Sequence, residues 1–237
     1  MFELLRARLK QGARTIPYLE GEPGFPERYR GLPVVDPAPG APPVDLGTCL
    51  FSPEEAGEGP NGTVRFTTEH RMASSTRQGL VSATGQVELA TGLDREMQRL
   101  FGRSLRLRSV VAGSCGGCEA ELNALGNVVF DLARFGVQFV ASPRHADGLV
   151  ITGVVNRNMR DALRRTYDAT PSPRIVIAVG ACAIGGGPFA GSGEIVGAPE
   201  IPVDLYVPGC PPHPLTILDG LLRMLGRLPA DRVPART

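Results

Sequence analysis

From residue 105 onward the chain alternates between apolar runs and helical periodicities. Strand-like runs fall at residues 105–112, 137–141, 149–153, 175–180 and 203–207, and apolar positions at helical spacing mark 122–135, 159–167 and 215–225. Runs that are apolar almost throughout, with helices between them, predict a parallel sheet covered on both faces. A flavodoxin-like, doubly wound α/β domain follows. Asn158 is the expected N-cap of the second helix, which Pro171 and Pro173 bring to an end.

The first hundred residues are less regular. Phe2, Leu5 and Leu9 stand at helical spacing in residues 1–12, with Arg6, Arg8 and Lys10 elsewhere on the surface. This predicts a short amphipathic helix, read as packed on the rest of the chain, with docking on a membrane surface or a partner as the alternative. Prolines and glycines are dense over 16–60, so turn-rich, extended chain is expected there. A short strand is predicted at 64–67 and a helix at 89–101, leading into the sheet domain. The boundary lies near 101–105, dividing the chain into 1–104 and 105–237.

Composition narrows the function classes. A net charge of +1, with no basic run interleaved with aromatics, gives no electrostatic case for nucleic acid. No apolar run approaches the roughly 20 residues that cross a bilayer, and the amino terminus shows no secretory or twin-arginine pattern. Cytoplasmic placement is expected, with any membrane contact made through partner subunits. In that compartment five cysteines read as metal ligands or free thiols rather than a disulfide frame.

Four of the five cysteines stand just past predicted strand ends. Cys115 and Cys118 lie in Ser114-Cys-Gly-Gly-Cys-Glu-Ala-Glu121, between a strand and a helix; Cys182 follows the run 175–180, and Cys210 follows 203–207. In an α/β sheet such loops gather at one edge, so the four thiols can converge. Glycines flank each of them and permit close backbone approach, and Pro211 and Pro212 stiffen the last loop. Four such thiols suit a [4Fe-4S] cluster. On spacing alone, a zinc site, a Cys-x-x-Cys redox pair and inert buried thiols remain open.

The motifs Gly113-Ser-Cys-Gly-Gly-Cys-Glu-Ala-Glu121, Val179-Gly-Ala-Cys-Ala-Ile-Gly-Gly-Gly-Pro-Phe189 and Val203-Asp-Leu-Tyr-Val-Pro-Gly-Cys-Pro-Pro-His-Pro214 together resemble the small subunit shared by group 4, complex-I-like [NiFe] hydrogenases and respiratory complex I. The resemblance spans about residues 105–227. It implies one [4Fe-4S] cluster held by Cys115, Cys118, Cys182 and Cys210 beside a large catalytic subunit, the hydrogenase large subunit or its complex I 49 kDa counterpart. The first motif has the Cys-x-x-Cys spacing of the hydrogenase branch, whereas complex I proteins have adjacent cysteines there. Glu121 matches a glutamate that in the family faces the proton or quinone chemistry; as a bare residue it reads as a cap on the following helix. Glu119 reads as solvated or capping. Arg144, in a segment similar to one of the family, reads either as lying near the cluster or as a surface ion pair, and His145 and His213 read as structural.

A second resemblance covers the amino-terminal half. The stretch from Phe25 to Pro37 resembles the leading segment of the ferredoxin-type subunit of the same complexes. Cys49, Ser52, Glu55, Gly59 and Pro60 then fall in the frame Cys-x-x-Cys-x-x-Cys-x-x-x-Cys-Pro of a bacterial ferredoxin, with only the first thiol and the proline kept. This implies an irregular, degenerate ferredoxin-like module without a cluster of its own. The expected function is an electron-transfer subunit of a complex-I-like or hydrogenase-like oxidoreductase, not catalytic alone and peripheral at the inner face of the cell membrane. A quinone-reducing complex I subunit and a structural subunit of a nickel-free relative are the alternatives. The apolar, glycine-rich surface over 185–189 is the expected docking face.

Overall fold

The computed structural model describes residues 2–18, 21, 23–40, 42–59, 62–102, 104–197 and 200–228. Its amino-terminal half holds helix α1 (Phe2–Gln11) and strands β1 (Pro33–Asp36), β2 (Val44–Asp45), β3 (Gly57–Gly59), β4 (Gly62–Phe66) and β5 (Val81–Ser82). Strand β4 pairs antiparallel with β1 on one side and β3 on the other, and β2 pairs with β5. Then follow α2 (Arg95–Phe101), β6 (Leu105–Val111), α3 (Gly117–Ala124), β7 (Val137–Phe139), β8 (Gly148–Thr152), β9 (Val155–Asn156), α4 (Arg157–Ala169), β10 (Ile175–Val179), α5 (Ala181–Gly185), β11 (Ile195–Gly197), β12 (Leu205–Val207) and α6 (Pro214–Met224).

The central sheet runs β7-β6-β8-β10-β12, with every pairing parallel. Counted along the chain this is the order 2-1-3-4-5, that of flavodoxin-like folds, with its switch point between β6 and β8. Every residue of β8 and β10 is buried, as expected for central parallel strands. Successive side chains of β10 go to opposite faces: Ile175, Ile177 and Val179 join one core cluster, and Val176 and Ala178 the other. The first cluster is closed by α6, all eleven of whose residues are buried. Leu218, Leu221 and Leu222 there each contribute about 1.5–3 kcal/mol through burial.

Residues from the amino-terminal half close the other face. Leu32, Leu46, Phe51, Met72 and Leu80 share a cluster with Val110, Ile151 and Val176 of the sheet. Ser74 extends the sheet edge by exchanging backbone hydrogen bonds with Tyr206, at 2.9 and 2.8 Å. The first hundred residues therefore share with α4 and α5 the layer that keeps this face of the parallel strands dry.

Several element boundaries differ from those predicted. The helix expected over 122–135 begins at Gly117 and stops at Ala124. Asn127 then accepts from Val129 N and Phe130 N through Oδ1, an Asx turn that redirects the chain into a 3-10 turn, Leu132–Phe135. Asn156, not Asn158, caps α4: it is extended (φ −82°, ψ 165°) and accepts from Met159 N at 2.9 Å, whereas Asn158 lies inside the first turn. Helix α2 starts only at Arg95, capped by Asp94.

Helix α1 forms but does not pack as expected. None of its residues is buried, and Phe2 and Leu9 are 88% and 79% exposed. Amphipathic spacing specified the helix and not a surface beneath it; Met1 lies outside the described residues.

Candidate metal centre

The four motif cysteines all sit at the carboxyl edge of the sheet. Cys115 lies on the loop between β6 and α3, next to the switch point, and Cys118 in the first turn of α3; Cys182 lies in the first turn of α5, after β10, and Cys210 follows β12. Backbone hydrogen bonds tie the last two loops together, Gly180 N to Val207 O and Ala181 N to Gly209 O, both at 2.9 Å. The first loop is folded locally. Gly116, at φ +91°, donates to Ser114 Oγ at 2.8 Å, and the Ser114 hydroxyl donates to Glu119 Oε2.

Two glycines show how closely backbone meets sulfur. A Cβ on Gly180 would lie 2.6 Å from Cys118 Sγ, and one on Gly187 would lie 2.8 Å from Cys182 Sγ. Both have positive φ, at +91° and +52°, so glycine is required twice over. Across the site, the Pro211 ring is 3.6 Å from a Cβ built on Gly117, which sets the third loop against the first.

The thiols lie within one another's electrostatic reach. Burial pushes Cys118 up to about 12, and Glu119, Cys182, Cys210 and Cys115 add to the rise in that order. Burial also raises Cys182, with Cys210 and Cys115 contributing, and raises Cys210, with Cys115 and Glu55 contributing. Cys115 and Cys210 are exposed, while Cys118 and Cys182 are half-buried. Among the described residues no three His, Cys, Asp or Glu side chains converge as the ligands of a single metal ion.

The two acidic neighbours sit differently on α3, Glu119 in the first turn, as its capping reading expects, and Glu121 beyond it. Glu119, in the first turn of α3, has a buried Oε1 without a hydrogen-bond partner among the described residues, so it is not a solvated group. Glu121 lies beyond that turn and does not cap the helix. It lines a cavity of about 250 Å³ together with Cys210, Tyr29, His213, Arg28 and Arg30, and burial raises its pKa.

His213 is structural. Its Nδ1 accepts from Leu215 N at 3.2 Å to cap α6, and its ring meets Phe25, Tyr29 and Phe130 edge-on. His145 and Arg144 lie on a short 3-10 turn, Pro143–His145, between β7 and β8, with no residue of the turn buried.

Cys49 lies on a loop that leans against α5, within electrostatic reach of Cys210. A Cβ on Gly185 would lie 2.6 Å from Thr48 Cγ2, and one on Gly47 would lie 2.7 Å from Ile184 Cγ2. Burial pushes the Cys49 thiol up to about 12, and it donates to Glu55 Oε2 at 3.6 Å. Pro60, the last position of the ferredoxin-like frame, lies outside the described residues.

Sequence reasoning had no sign of a second polar cluster under α6. Tyr18 donates to Asp219 Oδ1 at 3.0 Å and meets His70 Nε2 at 2.9 Å, and Arg223 Nε pairs with Asp219 Oδ2 at 2.7 Å. Tyr18 stands 52 residues from His70 and 201 from Asp219 along the chain, so no local pattern relates them.

A 2-1-3-4-5 parallel sheet with four cysteines at its carboxyl edge defines the class: a thiol-bearing α/β domain of the flavodoxin-like fold. The sequence profile of the NADH ubiquinone oxidoreductase 20 Kd subunit matches residues 115–224, from the first motif cysteine to the end of α6. A probable membrane-bound hydrogenase subunit of Pyrococcus furiosus is 44% identical over 136 residues, 56% of this chain and 81% of that protein. Formate hydrogenlyase subunit 7 of Escherichia coli is 44% identical over 143 residues, 60% of this chain and 56% of that one. An NADH-quinone oxidoreductase subunit of Desulfovibrio desulfuricans is 46% identical over 108 residues, 45% of this chain and 59% of that one. The chain belongs to the 20 Kd subunit family of these oxidoreductases. It spans little more than half the length of the last two relatives.

Proposed function

We propose that this chain is the electron-relay subunit of a membrane-associated oxidoreductase complex, holding one [4Fe-4S] cluster on Cys115, Cys118, Cys182 and Cys210. The observation that supports this reading is the placement of all four motif cysteines at the carboxyl edge of one parallel sheet, just past the ends of β6, β10 and β12. The donor set fits the group. Thiolates are the ligands of such clusters, and Gly180 and Gly187 leave beside two of them the space that a Cβ would fill. A structural zinc ion takes four cysteine sulfurs as well, so metal content separates the two readings. When bound, the cluster supplies one-electron transfer.

The chain's own part is to hold and shield. Cys118 and Cys182 anchor from the half-buried side, while Cys115 and Cys210 face outward, where a large hydrogenase-like or 49 kDa-like subunit would dock. Phe189, 55% exposed just beyond the Cys182 loop, supports that face as the apolar contact. Glu121, its pKa raised by burial, holds a proton on its carboxyl more readily than an exposed glutamate would, in a cavity that reaches Cys210. It is our candidate for the proton or quinone contact. No described helix is long and apolar enough to cross a membrane, so association with the inner face would come through the other subunits. Residues 1–104 are assigned as a degenerate ferredoxin-like module that docks and covers rather than conducts.

Anaerobically purified protein tests this directly. About four irons per chain and an EPR-active cluster are expected, both lost or degraded in Cys118→Ala. Stoichiometric zinc without iron overturns the proposal.

A further inference from the structure

The Cys49 loop closes on a carboxylate. Glu55 Oε1 accepts from Leu50 N at 3.0 Å, its Oε2 accepts from Ser52 N at 2.8 Å, and the Cys49 thiol donates to Oε2. Phe51, between the two backbone donors, has φ +55°, and Arg30 Nε donates to its carbonyl at 2.5 Å. Backbone N–H groups that converge in this way form an anion-binding concavity. Here the anion is the chain's own, and it stands at a position where the ferredoxin-like frame would place a thiolate.

This loop borders the candidate metal centre on two sides. Gly47 and Thr48 press on α5, which carries Cys182, and Phe51 and Arg30 line the same cavity as Cys210. Glu55 braces the two residues that flank Phe51, so its carboxylate backs the wall of the cavity that Cys210 also lines. A negative charge disfavours the arrival of an electron nearby, and a half-buried one is screened by salt less than an exposed one.

We propose that Glu55 is a fixed anion that lowers the reduction potential of the cluster, acting through space on its Cys210 corner while it closes the Cys49 loop. This rests on the cluster reading above. It assigns Glu55 a positioning role for electrons that nothing in the four-cysteine motif supplies.

The test is an EPR-monitored redox titration of the full-length, iron-loaded protein, with iron measured first. Glu55→Gln is expected to shift the reduction equilibrium three- to tenfold toward the reduced form, a rise in midpoint of up to about 59 mV for one electron. Glu55→Asp, which keeps the charge, should stay near the wild-type midpoint, and so should Glu54→Gln, which removes an exposed charge one residue away. If Glu55→Gln does not fold, Glu55→Ala replaces it, because the adjoining cavity of about 300 Å³ admits water to the freed N–H groups. Iron-loaded charge-removal variants with the wild-type midpoint overturn this proposal alone, as does an equal shift in Glu54→Gln. Wild-type protein without iron overturns the cluster reading and this proposal with it. A purely structural Glu55 would lower stability and leave the midpoint where it was.

Discussion

Gly180 and Cys118 come from different βα loops, yet a Cβ on Gly180 would stand 2.6 Å from the Cys118 sulfur. The consequence is testable by adding that one carbon. Gly180→Ala must both move the thiol and place a side chain at φ +91°, a strain of roughly 1–3 kcal/mol. We expect iron content to fall sharply in this variant. Gly116→Ala has the same φ, +91°, but its Cβ would meet nothing within 4 Å, so it should cost stability and keep its iron. Equal iron in the two variants would show that the close approach does not matter.

The fifth cysteine should behave as a buried thiol rather than a ligand. Burial holds Cys49 protonated, with its pKa pushed up to about 12, so at pH 8 its reaction with iodoacetamide should be far slower than that of an exposed cysteine. Cys49→Ala should leave iron content and the EPR signal as in the wild type. Loss of iron in folded Cys49→Ala would overturn the reading of residues 1–104 as clusterless.

The Arg223–Asp219 pair, 5% and 1% exposed, is deeply buried in α6. Removing one member of a buried ion pair costs about 3–5 kcal/mol. Asp219→Ala should therefore lower the urea midpoint substantially, and Tyr18→Phe, which removes one hydrogen bond to the same carboxylate, should lower it by less.

His70 gives a pH dependence of known sign. Burial pushes its pKa down from 6.5 to about 4, so the folded protein keeps it neutral where the unfolded chain takes up a proton. Stability from this residue is complete above pH 6.5 and is lost as pH falls from 6.5 toward 4, by on the order of 3 kcal/mol. Glu69, lowered through Arg71 against its own burial, adds a loss at more acidic pH, and Asp219, raised by burial, acts in the opposite direction. The slope should therefore be measured as the difference between wild type and His70→Gln in urea melts at pH 4.5, 5.5 and 7. An identical slope in the variant would remove His70 as its source.

The sheet was legible because its strands are buried on both faces and so read as unbroken apolar runs. Ile-Val-Ile-Ala-Val at 175–179 is the clearest, and the predicted strands differ from the observed ones by one or two residues at their ends. The thiols were legible for a local reason as well, since glycines and sulfur must share a short loop. The helix after Cys118 was overextended because the apolar spacing continues past Ala124, while the Asn127 turn that breaks it depends on one side-chain hydrogen-bond pattern.

Composition, periodicity and motif spacing thus determined the α/β class, the loops that carry chemistry and the helical state of α1. Only the tertiary structure decided that Leu32, Leu46, Phe51, Met72 and Leu80 join α4 and α5 in covering the sheet, that α1 finds no surface among the described residues, and that Tyr18, His70 and Asp219 meet. It also decided that Phe51, on the loop Glu55 closes, lines one cavity with Cys210, though 159 residues separate the two (210 − 51). The physical reason is range. Secondary structure and loop chemistry are fixed by neighbours a few residues away, whereas burial, electrostatic pairing and the meeting of loops depend on strand order, which no local stretch of sequence encodes.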